Sequence, residues 1–391
     1  NGEYKTERRN FYHKPVANLN WDFTISDKSN LSTVLYASWG NGGGTGDRGN
    51  RIRTAEGRID YDAIYAANGE IENGAGGYFT AGGGYVTRSS MNLHSWYGLI
   101  SNFETKITDE LSWNVGFDLR TYYGKHFRVV SDFHGLDSWA ETIRLRDQNN
   151  NHERYGTFGT YKNVLATESF RPSGWAAAFD SYPEDQKIAY SNDERISYGG
   201  LFTQLEYATD NMSAFFQGSV SNQSHQRFDF FQYADQALID GTSSQGTDEP
   251  IPAGITPGTD SEKVDNLGYN AKAGLSYKVS EAHAFYVNTG YYNRQPYHDN
   301  IYLNFTNQVN PLTENEKIFG LEAGYGFKSS IFSANVNLYR TSWKDRVVSS
   351  SNIVDDVLQF TTNFGTEQLH SGVEVDFKLR PIADLSINGQ F

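Results

Sequence analysis

The chain has 391 residues, no cysteine, a formal net charge of −14 and a mean hydropathy of −0.61. Without cysteine there is no disulfide framework and no thiolate metal site. The acidic balance argues against a nucleic-acid partner, which needs a basic face, and no run of eighteen apolar residues offers a membrane helix.

Residues 1 to 15 are polar and basic, with Lys5, Arg8, Arg9 and Lys14. From Val16 the chain alternates: Ala17, Leu19, Trp21, Phe23 and Ile25 fall on one face, and Asn18, Asn20, Asp22 and Thr24 on the other. Successive side chains of a strand point to opposite sides, so this is a strand with one apolar face. Ser26 to Asn30 is a turn by composition, and Leu31 to Trp39 returns. A long interruption, Gly40 to Asn92, is rich in glycine and charge. Strands follow at Leu93–Ile107 and Leu111–Tyr123, then a second interruption from Gly124 to Glu194, in which Asp137 to Arg146 is expected to form a short helix. Strands at Ile196–Ala208 and Ser213–Phe231 precede a third interruption, Gln232 to Asn266. Leu267–Val279 and Ala284–Arg294 come next, then a loop carrying Pro296 and Pro311.

The clearest hairpin is Glu316 to Arg346. Phe319, Leu321, Ala323, Tyr325 and Phe327 alternate with Gly320, Glu322, Gly324 and Gly326, turn at Lys328-Ser329-Ser330, and return through Phe332, Ala334, Val336 and Leu338. Each arm is about twice the five or six residues usual in a soluble sandwich and fits the nine to eleven of a tilted membrane strand. After a short loop near Ser349–Asp356, Val357–Leu379 and Leu385–Phe391 complete about twelve strands.

The connections alternate in length. Every second one is about three to five residues and most of the others run from about ten to about seventy, whereas a soluble domain rarely holds structureless loops beyond about fifteen. Short turns on one side and long loops on the other mark an outer-membrane barrel. In the fourth strand Trp113, Val115, Phe117, Leu119 and Tyr123 share the apolar face, while Asn114, Asp118 and Arg120 face a wet interior. By the turn rule both chain ends fall where a complete barrel does not place them, so the reading expects a slice of a larger barrel spanning 1–391.

Several segments are familiar. Phe11-Tyr12-His13-Lys14-Pro15, the run from Ser32 through Trp39-Gly40-Asn41 to Gly46, and Asn363-Phe364-Gly365 followed by His370 to Phe377 resemble TonB-dependent outer-membrane receptors of Bacteroidetes. Asn310-Pro311-Leu312 with Asn315-Glu316-Lys317 resembles a signature of that family, although Leu312 follows Pro311 directly and Thr313-Glu314 stands where Lys-Pro is common. The resemblance covers nearly the whole chain and its motifs are structural. It implies a 22-stranded barrel, with a plug domain and both barrel ends absent from this sequence, and an energising TonB complex that contacts the plug.

Catalytic and nucleotide motifs are lacking. Gly42-Gly43-Gly44-Thr45-Gly46 and Gly82-Gly83-Gly84 are expected in loops and lack the Lys-Ser/Thr of a phosphate cradle. His126 and His134, with Asp132 between them, come nearest to a metal-binding pair, in a stretch otherwise read as exposed loop. Asp118 and Arg120 suit a salt-bridged wall better than an acid–base pair. Tyr61, Tyr65, Trp139, Tyr155 and Trp175 could stack on a ligand or on one another. Tyr292, Arg294, Arg340 and Trp343 are expected at the outer rim, where a ligand would enter. The sequence therefore reads as the barrel of a non-enzymatic receptor importing a siderophore, vitamin, glycan or peptide across the outer membrane of a Gram-negative cell, with no cofactor and with membrane lipid around it. A starch-utilisation-type glycan importer with a surface lipoprotein partner, and a passive porin or adhesin, are the rival readings.

Overall fold

The computed structural model describes residues 5–71, 75–77, 83–146, 161–171, 182–243, 245–247, 250–251, 253–254, 256–354 and 357–391. In chain order the strands are β1 (Asn10–His13), β2 (Val16–Ser26), β3 (Ser29–Gly49), β4 (Ala75–Gly77), β5 (Tyr85–Lys106), β6 (Leu111–Asp132), β7 (Ser138–Arg144), β8 (Tyr161–Ala166), β9 (Lys187–Ala208), β10 (Met212–Asp229), β11 (Gly246–Thr247), β12 (Val264–Lys278), β13 (His283–Arg294), β14 (Glu316–Lys328), β15 (Phe332–Val354), β16 (Val357–Ile382) and β17 (Leu385–Gln390). The helices α1 (Tyr61–Gly69), α2 (Gln236–Ile239) and α3 (His298–Ile301) are short and lie in the connections.

Thirteen strands form one antiparallel sheet, in the order β1-β3-β5-β6-β9-β10-β12-β13-β14-β15-β16-β17, with β2 also paired to β3. Twelve of them are the expected meander. The thirteenth, β1, was not expected: Asn10–His13 pairs with Asn41–Gly44, which lies inside the supposed first interruption. Several strands outrun their apolar parts. β3 continues through the glycine run to Gly49 and pairs there with the start of β5, so Gly42 to Gly46 is strand and not loop. β6 runs on to Asp132 and β9 begins at Lys187.

The long connections build a second layer at the far end from the tight turns. β11, β8, β7 and β4 form a four-stranded sheet, and its apolar centre joins Val86, Val130, Trp139, Val164, Ile188 and Phe231 into one buried cluster. The expected helix at Asp137 to Arg146 is instead strand β7, paired to β8. Trp139 and Glu141 point the same way into the interior, a period of two that a helix would have broken. Helix α1 was not anticipated. Asp60 caps it, accepting from Ala63 N at 2.9 Å, and buried Asn68 fastens it by accepting from Tyr85 N and donating to the carbonyls of Tyr85 and His134.

Across the twelve-strand meander the faces are consistent. Leu19, Trp21, Phe23, Leu201, Phe216, Leu275, Phe319 and Leu338 stand exposed on the apolar face. The opposite face carries charge, amides and glycine. There Arg120 Nε donates to Asp118 Oδ1 at 2.9 Å, and its guanidinium lies 5.1 Å from the Tyr198 ring, a contact within the wall.

Candidate functional site

On the polar face, strands β12 to β15 enclose a recess of about 580 Å³. Its geometry follows from register. Tyr292, Ile318 and Trp343 form one cross-strand row, with Arg294 opposite Glu316 above it and Gly290, Gly320 and Thr341 below. The two glycines hollow out the middle. A Cβ on Gly290 would stand 2.9 Å from the Tyr292 ring, while one on Gly320 would have only Thr341 Oγ1 near it, at 3.8 Å.

Charge concentrates at the upper edge. Arg294 Nη2 lies 2.7 Å from Glu316 Oε2, and Arg346 Nε lies 3.7 Å from Glu316 Oε1. The two guanidiniums sit 5.7 and 5.1 Å from the Trp343 ring, so the indole neighbours two cations that share one buried carboxylate. By simple alternation Arg346 would fall on the apolar face. Register shifts after Trp343 and after Arg346, with Asp345 at φ 60°, return it to the polar face, the re-aiming that a β-bulge performs. Lower in the recess Lys272 and Glu322 add one charge of each sign. The arrangement offers ring faces, charged donors and an acceptor, which bind and orient a ligand.

Of the four residues expected at the rim, Tyr292, Arg294 and Trp343 line this recess and Arg340 does not. Arg340 pairs with Leu321 and is exposed on the apolar face. Parity along β15 carries the signal for this: Leu338 and Arg340 share one side, Tyr339, Thr341 and Trp343 the other. Glu316, Arg346, Lys272 and Glu322 were missed, and the same parity finds all but Arg346.

A second polar cluster lies over β5, β6, β9 and β10. His126 Nε2 is 3.2 Å from Glu194 Oε1, and His298 Nε2, from α3, is 3.4 Å from Glu194 Oε2. His225 Nδ1 faces His298 Nδ1 at 3.2 Å. Burial pushes the Glu194 carboxyl up, but hydrogen bonds from His126 and Tyr122 and the neighbouring His298 outweigh it and hold Glu194 down at about 2. His126 and His134 do not form the metal pair the sequence suggested. His126 joins Glu194 and Asn92, whereas buried His134 bonds to Thr87 Oγ1 at 2.8 Å among the rings of Tyr61, Tyr65 and Tyr85. Neither lies in an exposed loop. Among the described residues no group of three or more His, Asp or Glu side chains converges as metal ligands would.

Of the loop aromatics, Tyr61 and Tyr65 pack on His134, and Lys5 Nζ lies 4.9 Å from the Tyr65 ring. Trp139 is fully buried. Tyr155 and Trp175 lie outside the described residues. The His134 site carries a pH dependence. Burial lowers its pKa from 6.5 to about 4, so the folded state holds the ring neutral while the unfolded chain takes up a proton below 6.5. Its contribution is complete above pH 6.5 and is lost as pH falls towards 4. Protection of residues 61–71 and 133–136, taken relative to the intrinsic exchange rate at each pH, is expected to fall as pH drops across that window, and to fall less in His134→Gln.

No family model matches the sequence, and a search of curated proteins returns no match. Among solved structures the chain is similar to the ferric-catecholate import receptor Fiu from E. coli K12 in its closed form, with 12% identity and a TM-score of 0.53 over 98% of this chain and 48% of that one. It is also similar to the copper transporter OprC, with 10% identity and a TM-score of 0.55 over 98% of this chain and 45% of that one. The chain thus spans about half the length of these structures. At such identities the likeness is one of fold, that of an antiparallel outer-membrane β-barrel.

Proposed function

We propose that the chain is part of the barrel of a TonB-dependent receptor of the Bacteroidetes type, set in the outer membrane of a Gram-negative cell and importing a scarce nutrient. The observation that carries the reading is the pairing of an exposed apolar face with a glycine-hollowed polar face along one twelve-strand meander, whose turns are short at one end and whose connections form a layer at the other. That is the construction of a barrel with a wet interior and an external vestibule. In this reading the vestibule admits a siderophore, vitamin, glycan or peptide, and Tyr292, Arg294 and Trp343 are wall contacts along its path. The energising complex acts through a plug and TonB box encoded elsewhere in the parent gene. The barrel itself performs no chemistry.

The test uses the full-length protein in its own cell. Strains lacking the gene are compared with the parent under iron chelation, under cobalamin limitation, and on glycans or peptides as sole carbon source. The expected result is a growth defect confined to one nutrient and reproduced by loss of TonB. Trp343→Ala in the complementing gene should raise the half-saturating nutrient concentration about tenfold, the loss of one ring contact worth about 1.4 kcal/mol. Unimpaired growth on every nutrient, together with steady ion conductance of the purified protein in a planar bilayer, would replace import by an open porin.

A further inference from the structure

We infer that the apolar face around Arg340 binds a phosphate of an anionic lipid headgroup in the outer leaflet. The inference rests on the membrane reading above and assigns a site within it. On β15 the even-numbered residues Phe332, Ala334, Val336, Leu338 and Arg340 share the outward face. Phe332, Phe327 and Phe377 form an aromatic band near the turns. From Phe332 to Arg340 the strand climbs roughly 26 Å, or about 20 Å along the membrane normal at a tilt of about 40°. The apolar band of such a barrel is about 25 Å tall, so Arg340 stands just inside its outer edge, where a long side chain reaches the headgroups.

Among the described residues the guanidinium has no hydrogen-bond or ion-pair partner there. Lys317 is taken by Asp345 at 2.7 Å and by Glu314 at 3.5 Å, and Lys344 by Glu367 at 3.3 Å. Among the described residues no carboxylate pairs with Arg340. Its cross-strand neighbours are Leu321 and Ser371, and Ser342 follows it on the same face, opposite Phe319 and Leu369. One guanidinium and two hydroxyls therefore make a small donor patch on an otherwise apolar surface. A planar fork of N–H donors matches a phosphate, and it does so best where water is scarce. The lipid leaflet is the anion source that meets this face, since the recess and its ion pairs lie on the other side of the sheet.

The full-length protein is inserted into phosphatidylcholine vesicles, alone or with a minority of phosphatidylglycerol or of diphosphorylated lipid A. Retained lipid is counted by mass spectrometry after extraction into detergent, and the thermal midpoint is read in the vesicles. The wild type should keep an anionic lipid and melt higher in the anionic vesicles. Arg340→Gln should retain about tenfold less, with Arg340→Lys between them, and all three should insert equally into phosphatidylcholine. Equal retention by wild type and Arg340→Gln overturns the site. So does displacement of the lipid by inorganic phosphate at millimolar concentration, which would make it a free-anion site. Failure of the wild type to insert into any vesicle would overturn the membrane reading itself.

Discussion

Arg48→Ala is expected to destabilise the loop layer by about 3–5 kcal/mol, the cost of leaving a buried carboxylate without its cation. The carboxylate is Glu141, whose side chain is fully buried on β7. Its Oε1 accepts from Trp139 Nε1 at 2.7 Å and also from Arg48 Nε, and its Oε2 accepts from Ala189 N at 2.9 Å. Arg48 comes from the glycine-rich end of β3 and Ala189 from the start of β9, where the backbone takes φ 64°. One side chain thus ties the outer sheet to two strands of the large sheet. Loss of Arg48 removes the cation that donates to Glu141 while the two neutral donors remain. Water must then enter, and the cluster of Val86, Val130, Val164 and Ile188 beside it opens. The effect should be local, because the long antiparallel ladders below are untouched. Hydrogen exchange of β7 and β8 should accelerate by two or more orders of magnitude in Arg48→Ala, with little change in β12 to β14. Arg48→Met combined with Glu141→Leu should recover only part of the protection, since it removes the stranded charge but leaves Trp139 Nε1 and Ala189 N without their acceptor. Wild-type exchange in the single variant would show that the ion pair holds nothing.

What was legible in the sequence followed from where hydrophobicity enforces register. Strands with one apolar face announce themselves by alternation, because a slip of one residue would turn the whole set to the wrong side; hence Phe319 to Phe327 and Phe332 to Leu338 were placed correctly. The upper ends of the strands were not legible. Gly40 to Gly49 has no alternation to read, since both of its faces meet protein or water, and only pairing with Tyr85 to His94 shows that it is strand. The layer above was illegible for a related reason. Trp139 and Glu141 share a face because an arginine from a distant strand neutralises the acid, and no local pattern encodes that. In the recess, parity separates Trp343 from Arg340, but the bulge that brings Arg346 back to Trp343 depends on a left-handed Asp345, which composition does not reveal.

The membrane assignment makes the other large prediction, and it concerns Leu201. Its side chain is 61% exposed on the apolar face, opposite Phe117 on β6 and Val220 on β10. From Tyr207, near the turn, to Leu201 the strand rises roughly 20 Å, or about 15 Å along the normal at a tilt near 40°, which is close to the middle of the band. Arginine at a lipid-facing site of that depth costs about 2–4 kcal/mol. Gln204, three residues away, is the internal control. It faces the polar side between Asn114 and Gln217, and Gln204→Arg should change stability by about 0.5 kcal/mol or less. Both variants add one positive charge to the same strand, so the change in net charge cancels in the comparison, and the medium that the arginine meets is the main difference. Equilibrium unfolding of the full-length protein from phosphatidylcholine vesicles should therefore separate the two variants by at least about 1.5 kcal/mol, and the gap should shrink in a soluble amphipol, where a lipid-facing arginine finds polar groups. If Leu201→Arg and Gln204→Arg fall equally, the exposed face of this sheet does not meet hydrocarbon, and its leucines and aromatics await a protein surface instead.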